Sequence, residues 1–447
     1  MSSLKKLALQ GTLWTLFGYG LSQLIRLGSN LILTRLLAPE LFGLMALVNT
    51  FIMGLNLFSD IGIGPSIIQN RRGNDPDFLN TAWTLQAIRG FGLWIASIVL
   101  AWPLSEFYGD RNLLWLIPVV SLTTILAGFN STALFSLNRN IAMGRLMRFE
   151  LMTQIVSLVV MLVWAWIDPT IWALVVGNLV GALVKMVGSH WLIPNYSNRF
   201  VWERKAVKEI ATFGRWIFIS TALTFLATQA DRLILGKLVS FSILGVYTVA
   251  FTFSSLPQTL VSQLSGRVIF PLVSQVSELP RPSLRAKILN QRRFILLGIG
   301  VAVIFLTCFG DILILKLYDA RYAQAAWMLP ILALGIWPNV LFETSRPPLL
   351  ALGKPNYQAY GYFLKSLHVW LGLPLSFYWF GLPGFIIMVA LNDLELYSVV
   401  SYSLWREGLS CFQQDVKATC LLFGGLALIL SIRFMLGFGF PINSLLN

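Results

Sequence analysis

Charge is what this 447-residue chain has least of: only 12% of its residues are Asp, Glu, Lys or Arg, about half the share of a soluble domain. With 56% apolar residues and a mean hydropathy of +0.73, it has too few polar groups to cover a water-facing exterior. That excludes a soluble enzyme, a secreted disulfide scaffold and a disordered tail. The three cysteines, Cys308, Cys411 and Cys420, are odd in number and fit neither a disulfide framework nor a zinc spacing. Two histidines, His190 and His368, are too few for a His-rich metal centre, so no metal is expected. No Walker A motif, dinucleotide fingerprint or catalytic-triad context occurs. The chain is therefore not expected to be an enzyme, nor to carry a cofactor beyond a coupling cation. Long loops are missing too. The longest connections, near 194–208 and 272–291, are too short for a soluble domain, and the outer loops are too short for the catalytic carboxylates of a membrane polymerase or glycosyltransferase.

What the chain does have is length in apolar runs. About 20 apolar residues cross a bilayer core, and that criterion predicts thirteen spans, near 9–34, 40–67, 80–105, 112–136, 149–167, 170–193, 209–235, 241–271, 292–315, 323–345, 357–379, 382–404 and 415–438. The start, MSSLKKLALQGTLWTLF, has the charge pattern of a signal peptide, but its apolar run continues to Leu33 and reads as an uncleaved first span. With the N-terminus in the cytoplasm, 20 of the 33 Lys and Arg residues fall on the cytoplasmic side, Arg292 and Arg346 among them, and five on the other. This is the positive-inside bias. The basic excess, net +14, thus reads as topology, with no nucleic-acid partner. The 16 tryptophans read as interface anchors and packing.

The two halves resemble each other. Shifted by 202 positions, LTRLLAPELFGLMAL (33–47) lies over LGKLVSFSILGVYTV (235–249), and Trp14 meets Trp216. The polar stripe Tyr19, Ser22, Arg26, Ser29, spaced as one helix face, maps to Thr221, Thr224, Thr228, Asp231. In the second span Asn56 and Asp60 map to Gln258 and Ser262, while Asn49 meets Phe251. Six helices separate the copies, which predicts parallel repeats about an axis along the membrane normal, their polar faces meeting at a central hydrated cavity.

Charges at membrane depth cost about 2.5–3.5 kcal/mol each on insertion scales and default to a functional role. Arg26, Arg89, Arg215, Arg267 and Lys365, with Ser22, Gln23 and Asn56, are the expected substrate-binding set, an inward-facing basic funnel with a deeper station at Arg26. Arg215 and Arg267 lie near helix ends and are equally compatible with snorkelling to headgroups. Lys185 reads as snorkelling, and Arg232 and Arg433 as structural. The acids Asp60, Asp231, Asp393 and Glu395 are expected to compensate these charges or to bind a coupling cation. Lys365 and His368, three apart, share a face.

The segments RLLAPELFG (35–43), SDIGIGPSIIQ (59–69) and DRLILGKLVSFSILGVY (231–247) resemble the polysaccharide-exporter, or oligosaccharide flippase, branch of the multidrug/oligosaccharidyl-lipid/polysaccharide (MOP) superfamily. The resemblance implies an all-α polytopic fold with two six-helix bundles around a central cavity, here 1–193 and 209–404 joined by a cytoplasmic linker, 194–208, with an additional helix in 405–447. It implies export of an undecaprenyl-diphosphate-linked oligosaccharide from the inner to the outer leaflet of the bacterial cytoplasmic membrane. Alternating access would drive it, with H+ or Na+ as the coupling cation. Membrane lipids, a polysaccharide polymerase and its chain-length machinery are the implied partners. The competing expectation is a multidrug or organic-cation antiporter of the same superfamily, which would favour acidic binding residues.

Overall fold

The computed structural model describes residues 3–443 apart from 141, 195, 275, 277, 278 and 355, and within that range leaves out the side chains of 3–13, 16, 213, 215–217, 219, 220, 267 and 268. The described chain is helical and divides into two compact units, Met1–Phe225 and Leu226–Asn447. The first contains α1 (Ser3–Leu36), α2 (Pro39–Leu57), α3 (Ile63–Gln69), α4 (Pro76–Tyr108), α5 (Leu113–Gly128), α6 (Ala133–Arg139), α7 (Met143–Ile167), α8 (Ile171–Ser189) and most of α9 (Arg204–Thr228). The second contains α10 (Ala230–Leu238), α11 (Phe241–Ser254), α12 (Leu256–Leu264), α13 (Phe270–Ser274), α14 (Arg281–Leu317), α15 (Ala325–Ala351), α16 (Asn356–Leu367), α17 (Leu373–Leu391), α18 (Leu394–Arg406) and α19 (Phe412–Met435). The division falls inside α9, whereas the sequence reading starts the second bundle at 209.

Large apolar side chains face outward along the helices, and exposed tryptophans cluster at helix ends: Trp102 in α4, Trp115 in α5, Trp166 in α7 and Trp172 in α8. A water-soluble protein does not expose such a surface; a lipid-facing one with an aromatic belt does. The chain is a multi-pass membrane protein.

The thirteen expected spans are not all continuous helices among the described residues. Among the described residues eight helical stretches are long and apolar enough to cross, or nine if α5 and α6, bent by 60°, count as one. Several expected spans are broken: 40–67 into α2 and α3, 209–235 into α9 and α10, 241–271 into α11 to α13. One of the eight, 356–406, folds back on itself. Gly381 there has φ 62° and ψ −153°, a conformation open essentially to glycine alone. His368 reaches the Met388 carbonyl and, one turn earlier in the chain, Lys365 pairs with Asp393; the contacts recede from the turn on both sides, so this stretch is an antiparallel hairpin that accounts for two crossings.

The additional C-terminal helix, α19, is clamped to α14 by two buried ion pairs of opposite sense. Arg292 of α14 meets Asp415 of α19 at 2.7 Å, and Asp311 of α14 meets Arg433 of α19 at 2.7 Å. Arg292, which the sequence reading assigned to a cytoplasmic segment, is completely buried. Its guanidinium also donates to Thr344 of α15 at 3.2 Å, and Tyr397 of α18 donates to Asp415 at 3.2 Å. Because 292 pairs with 415 and 311 with 433, the two helices run parallel. The clamps lie roughly 28 Å apart along the helix at 1.5 Å per residue, close to the hydrocarbon thickness of about 30 Å. Parallel helices need an odd number of crossings between them, and α15 plus the two arms of the hairpin supply three.

In the first unit the linker is a strap. The backbone N–H groups of Arg199, Val201 and Glu203 donate to the side chains of Asn80, Thr84 and Thr81 on α4, at 3.0, 3.1 and 3.1 Å. The two-residue period is that of an extended strand, satisfied here by side chains instead of a sheet. Arg72 holds its end, with salt bridges of 2.6 Å to both Asp75 and Glu203.

Two outcomes are expected. Removing one partner of a fully buried ion pair costs about 3–5 kcal/mol, so R292A and D415A should each lower the unfolding midpoint in detergent more than the double replacement R292M/D415L does. Hydrogen bonding to Arg72 holds the Asp75 carboxyl below its ordinary range. That contact therefore contributes fully above about pH 4 and is lost as pH falls through the lowered value; amide exchange at 199–203 should rise in strong acid, and already at neutral pH in R72A.

Candidate functional site

Polar groups at membrane depth collect in two cavities, one in each unit, and each lies where a helix is interrupted. In the first unit α2 stops at Leu57. Asp60 accepts a hydrogen bond from the Gly62 N–H at 2.8 Å, an Asx turn, and Gly62 takes φ 65° before α3 begins. A broken helix leaves carbonyls without partners. Arg89 of α4 supplies them: its guanidinium donates to the Asn56 carbonyl at 2.6 Å and to the Ser59 hydroxyl at 3.0 Å. A cation at a helix C-terminus is also favoured by the helix dipole. One turn earlier on α4, Gln86 does the same for the end of α5, donating to the carbonyls of Ala127 and Gly128 at 2.9 and 3.1 Å. Asn56, Asp60, Gln86 and Arg89 line a cavity of about 430 Å³ together with Glu150 and Lys185.

The second unit holds a cavity of about 320 Å³ beside the interruption between α11 and α12 at Ser255, with Pro257 in the first turn of α12. Gln258 and Ser262 line it, with Asp231, Glu343, Lys365 and Asp393. Lys365 and Asp393 form a buried ion pair of 2.6 Å. Tyr247 donates to the Asp231 carboxylate, and Glu343 lies 3.1 Å from Arg346. The repeat relation carries through: Asn56 and Asp60 in one unit, Gln258 and Ser262 in the other, each line the cavity of their own unit.

The structure brings together only part of the expected binding set. Arg89, Asn56 and Asp60 share the first cavity; Lys365, Asp231 and Asp393 share the second. Arg26, Ser22 and Gln23 line neither. Ser22 is spent on helix packing, donating to Gln154 of α7 at 2.5 Å while Gln154 donates back to the Ser22 carbonyl at 3.0 Å. Arg26 is exposed and donates to Gln23, which in turn donates to Tyr19 at 2.5 Å. The side chains of Arg215 and Arg267 lie outside the described residues. Glu395 pairs with His368 at 2.5 Å, one turn from Lys365–Asp393. The expected basic funnel is not what these cavities hold. Arg89 and Lys185 are matched by Asp60 and Glu150, and Lys365 faces three carboxylates, because a buried charge is tolerated chiefly when paired.

Sequence reasoning missed Glu343 and Glu150 as cavity residues and Arg292, Asp311 and Asp415 as buried ones. The signal was present, since each is an ionisable residue within or at the edge of an apolar run. Arg292 was counted as a loop charge because it stands near a helix end, and the partners of Asp311 and Asp415 lie too far away in sequence for spacing to reveal.

Repeat-related helical units, each with a buried polar cavity at a helix break, define the class as a multi-pass helical membrane fold, and solved structures share that fold. The chain superposes on the lipid II flippase MurJ in an inward closed conformation with a TM-score of 0.73 at 13% identity, covering 92% of this chain and 91% of that one. It superposes on an inward-facing multidrug resistance MATE family transporter of the MOP superfamily with a TM-score of 0.67 at 14% identity, covering 88% and 94%. The chain belongs to the polysaccharide biosynthesis protein family, whose profile matches residues 32–327. It is 20% identical over 303 residues to the teichuronic acid biosynthesis protein TuaB of Bacillus subtilis (67% of this chain, 62% of that one). It is 24% identical over 305 residues to the succinoglycan biosynthesis transport protein ExoT of Rhizobium meliloti (68% and 61%), and 22% identical over 292 residues to the lipopolysaccharide biosynthesis protein WzxC of Escherichia coli (62% and 56%). The match thus spans about three-fifths of the length of these curated relatives.

Loss of the Arg89 contacts should open the α2–α3 break. A hydrogen bond to a charged group contributes about 1.5–3 kcal/mol, so R89A should raise amide exchange at residues 58–62 tenfold or more, and R89K should restore part of the protection.

Proposed function

We propose that this chain is a transporter, not an enzyme, that moves a polyprenyl-diphosphate-linked oligosaccharide from the inner to the outer leaflet of the bacterial cytoplasmic membrane by alternating access. The observation that carries the reading is the doubled polar cavity, set at membrane depth and built at matching repeat positions in the two units. A glycan head needs a wet, polar route through about 30 Å of hydrocarbon, whereas its lipid tail can remain in the bilayer. Asn, Gln, Ser and Thr side chains suit sugar hydroxyls with little selectivity, and the Arg89 guanidinium suits a diphosphate. Membership of a polysaccharide biosynthesis family supports the cargo class, and the MurJ-like fold is compatible with it. The N-terminus is taken to be cytoplasmic on the positive-inside bias. A polymerase and its chain-length machinery are the proposed partners downstream.

The acid-rich second cavity, with Asp231, Glu343 and Asp393 against Lys365, supports cation coupling by H+ or Na+ at that unit. It is also the feature an organic-cation antiporter would need. The curated relatives are polysaccharide biosynthesis proteins, which weighs for the glycan cargo; drug-resistance assays in a pump-deficient strain separate the two.

Deletion of the gene should trap lipid-linked oligosaccharide on the inner leaflet, and the wild-type chain should clear it. R89A and D393N, expressed at normal levels, should clear it at least tenfold more slowly, since each removes a charge-assisted contact of about 1.5–3 kcal/mol. Clearance at the wild-type rate by both variants would remove the two cavities from the mechanism.

A further inference from the structure

The second unit carries a histidine whose ring is gripped by two acceptors. His368 opens a π-helical turn, His368–Gly372, between α16 and α17. Its Nδ1 lies 2.5 Å from Oε1 of Glu395 on α18, and its Nε2 lies 3.3 Å from the carbonyl oxygen of Met388 on α17. A neutral imidazole has one N–H, and an ionised carboxylate has none. Two contacts to two acceptors therefore need two protons: both on the ring, or one on the ring and one on Glu395. In either form the pair holds one proton more than a neutral imidazole beside an ionised carboxylate.

Two further observations place this pair where a proton would matter. The other carboxylate oxygen of Glu395, Oε2, is buried without a hydrogen-bond partner. One helical turn before His368, Lys365 meets Asp393, two residues before Glu395, and that ion pair lines the polar cavity. The π-turn itself is a widening of the kind that gathers at functional sites. Among the neighbouring elements, α17 contributes no charged side chain and one titratable group, Tyr378, and α16 contributes Lys365 with Tyr357, Tyr360 and Tyr362. On α10, also packed on the π-turn, Asp231 is held by Tyr247 and Arg232 by Gln229, at 2.7 Å for the latter, and Lys237 lies in the last turn.

We infer that His368 and Glu395 form a proton-binding site of the second unit. The proton comes from water and adds to the imidazole nitrogen or the carboxylate oxygen; no other bond forms or breaks. When it leaves, the single remaining N–H serves one acceptor only, and the ring releases either Glu395 or the Met388 carbonyl. Release of Glu395 frees α18 from the π-turn, and with it Asp393 in the cavity. Proton occupancy thereby sets how firmly the hairpin holds the Lys365–Asp393 pair. The role in transport rests on the flippase reading and selects H+ between the two coupling cations; the proton site itself does not depend on that reading.

The chain has only two histidines, so the ring can be watched directly. With 15N-histidine in lipid nanodiscs, the signals of His368 are assigned by comparing the wild type with H190Q and H368Q. At pH 7 the expected result is a His368 ring with both nitrogens protonated, or a protonated carboxyl band in the infrared spectrum that E395Q abolishes. In E395Q the ring should carry a single proton. A neutral His368 beside an ionised Glu395 at pH 7, unchanged by E395Q, overturns the proposal. In vesicles under an imposed pH gradient, using a fluorescent undecaprenyl-diphosphate disaccharide as probe, H368Q and E395Q should lose the response to the gradient. A wild type that moves no probe while the ring spectra behave as expected would sink the flippase reading and leave the proton site standing.

Discussion

The bilayer core offers no water to a polar group, so every backbone carbonyl freed by a helix break and every charge at depth must find its partner inside the protein. Most of what distinguishes this fold from a stack of apolar rods follows from that constraint. Helix α4 meets it twice within one turn: Gln86 closes the end of α5 and Arg89 the end of α2. The α14–α19 pair meets it with two ion pairs of opposite sense, which satisfy the charges and also fix the direction and register of the last helix. A single ion pair would tolerate a pivot; two, about a bilayer apart, do not.

The same constraint explains why the repeat is visible in position more than in residue type. Asn56 and Asp60 became Gln258 and Ser262, yet all four line a cavity at a helix interruption. What is retained is the need for a polar side chain beside a break. The charges have diverged: the first cavity sets two cations against two carboxylates, the second one cation against three. The two units are thus alike in architecture and different in electrostatics, as expected if one meets the anionic cargo and the other a coupling cation.

How much of this was legible in the sequence depends on which period or pairing carries the signal. Membrane class, helical content and the repeat came from composition, run length and the 202-residue shift, since apolar runs report burial in lipid directly. The breaks at 58–62 and at Ser255 were blurred into single spans, because hydropathy averaged over 20 residues does not resolve an interruption of five residues or of one. The stripe through Ser22, Gln23 and Arg26 shares a helical face, but spacing cannot tell a face packed on a neighbour from one lining a cavity; Gln154, 132 residues away, settles Ser22. Arg292 was read as a loop charge for the same reason. Its partner Asp415 lies 123 residues further on, and no local rule links them.

Pairing also bears on what a cavity in this protein can do. An unpaired charge at depth would be a strong site but a costly one to fold around. A paired charge is stable, and it binds a ligand only by exchanging its partner. Lys365–Asp393 is such a pair, buried yet facing open space. An anion arriving at Lys365 must displace Asp393, and a cation arriving at Asp393 must displace Lys365, so each event frees the partner the other needs and the two favour each other thermodynamically. For a transporter that is an advantage over a preformed basic funnel, which would hold a diphosphate tightly and release it slowly. On the proposed flippase reading, the near-balance of charge in the first cavity follows the same logic: it would let a polar head enter and leave with a modest change in free energy.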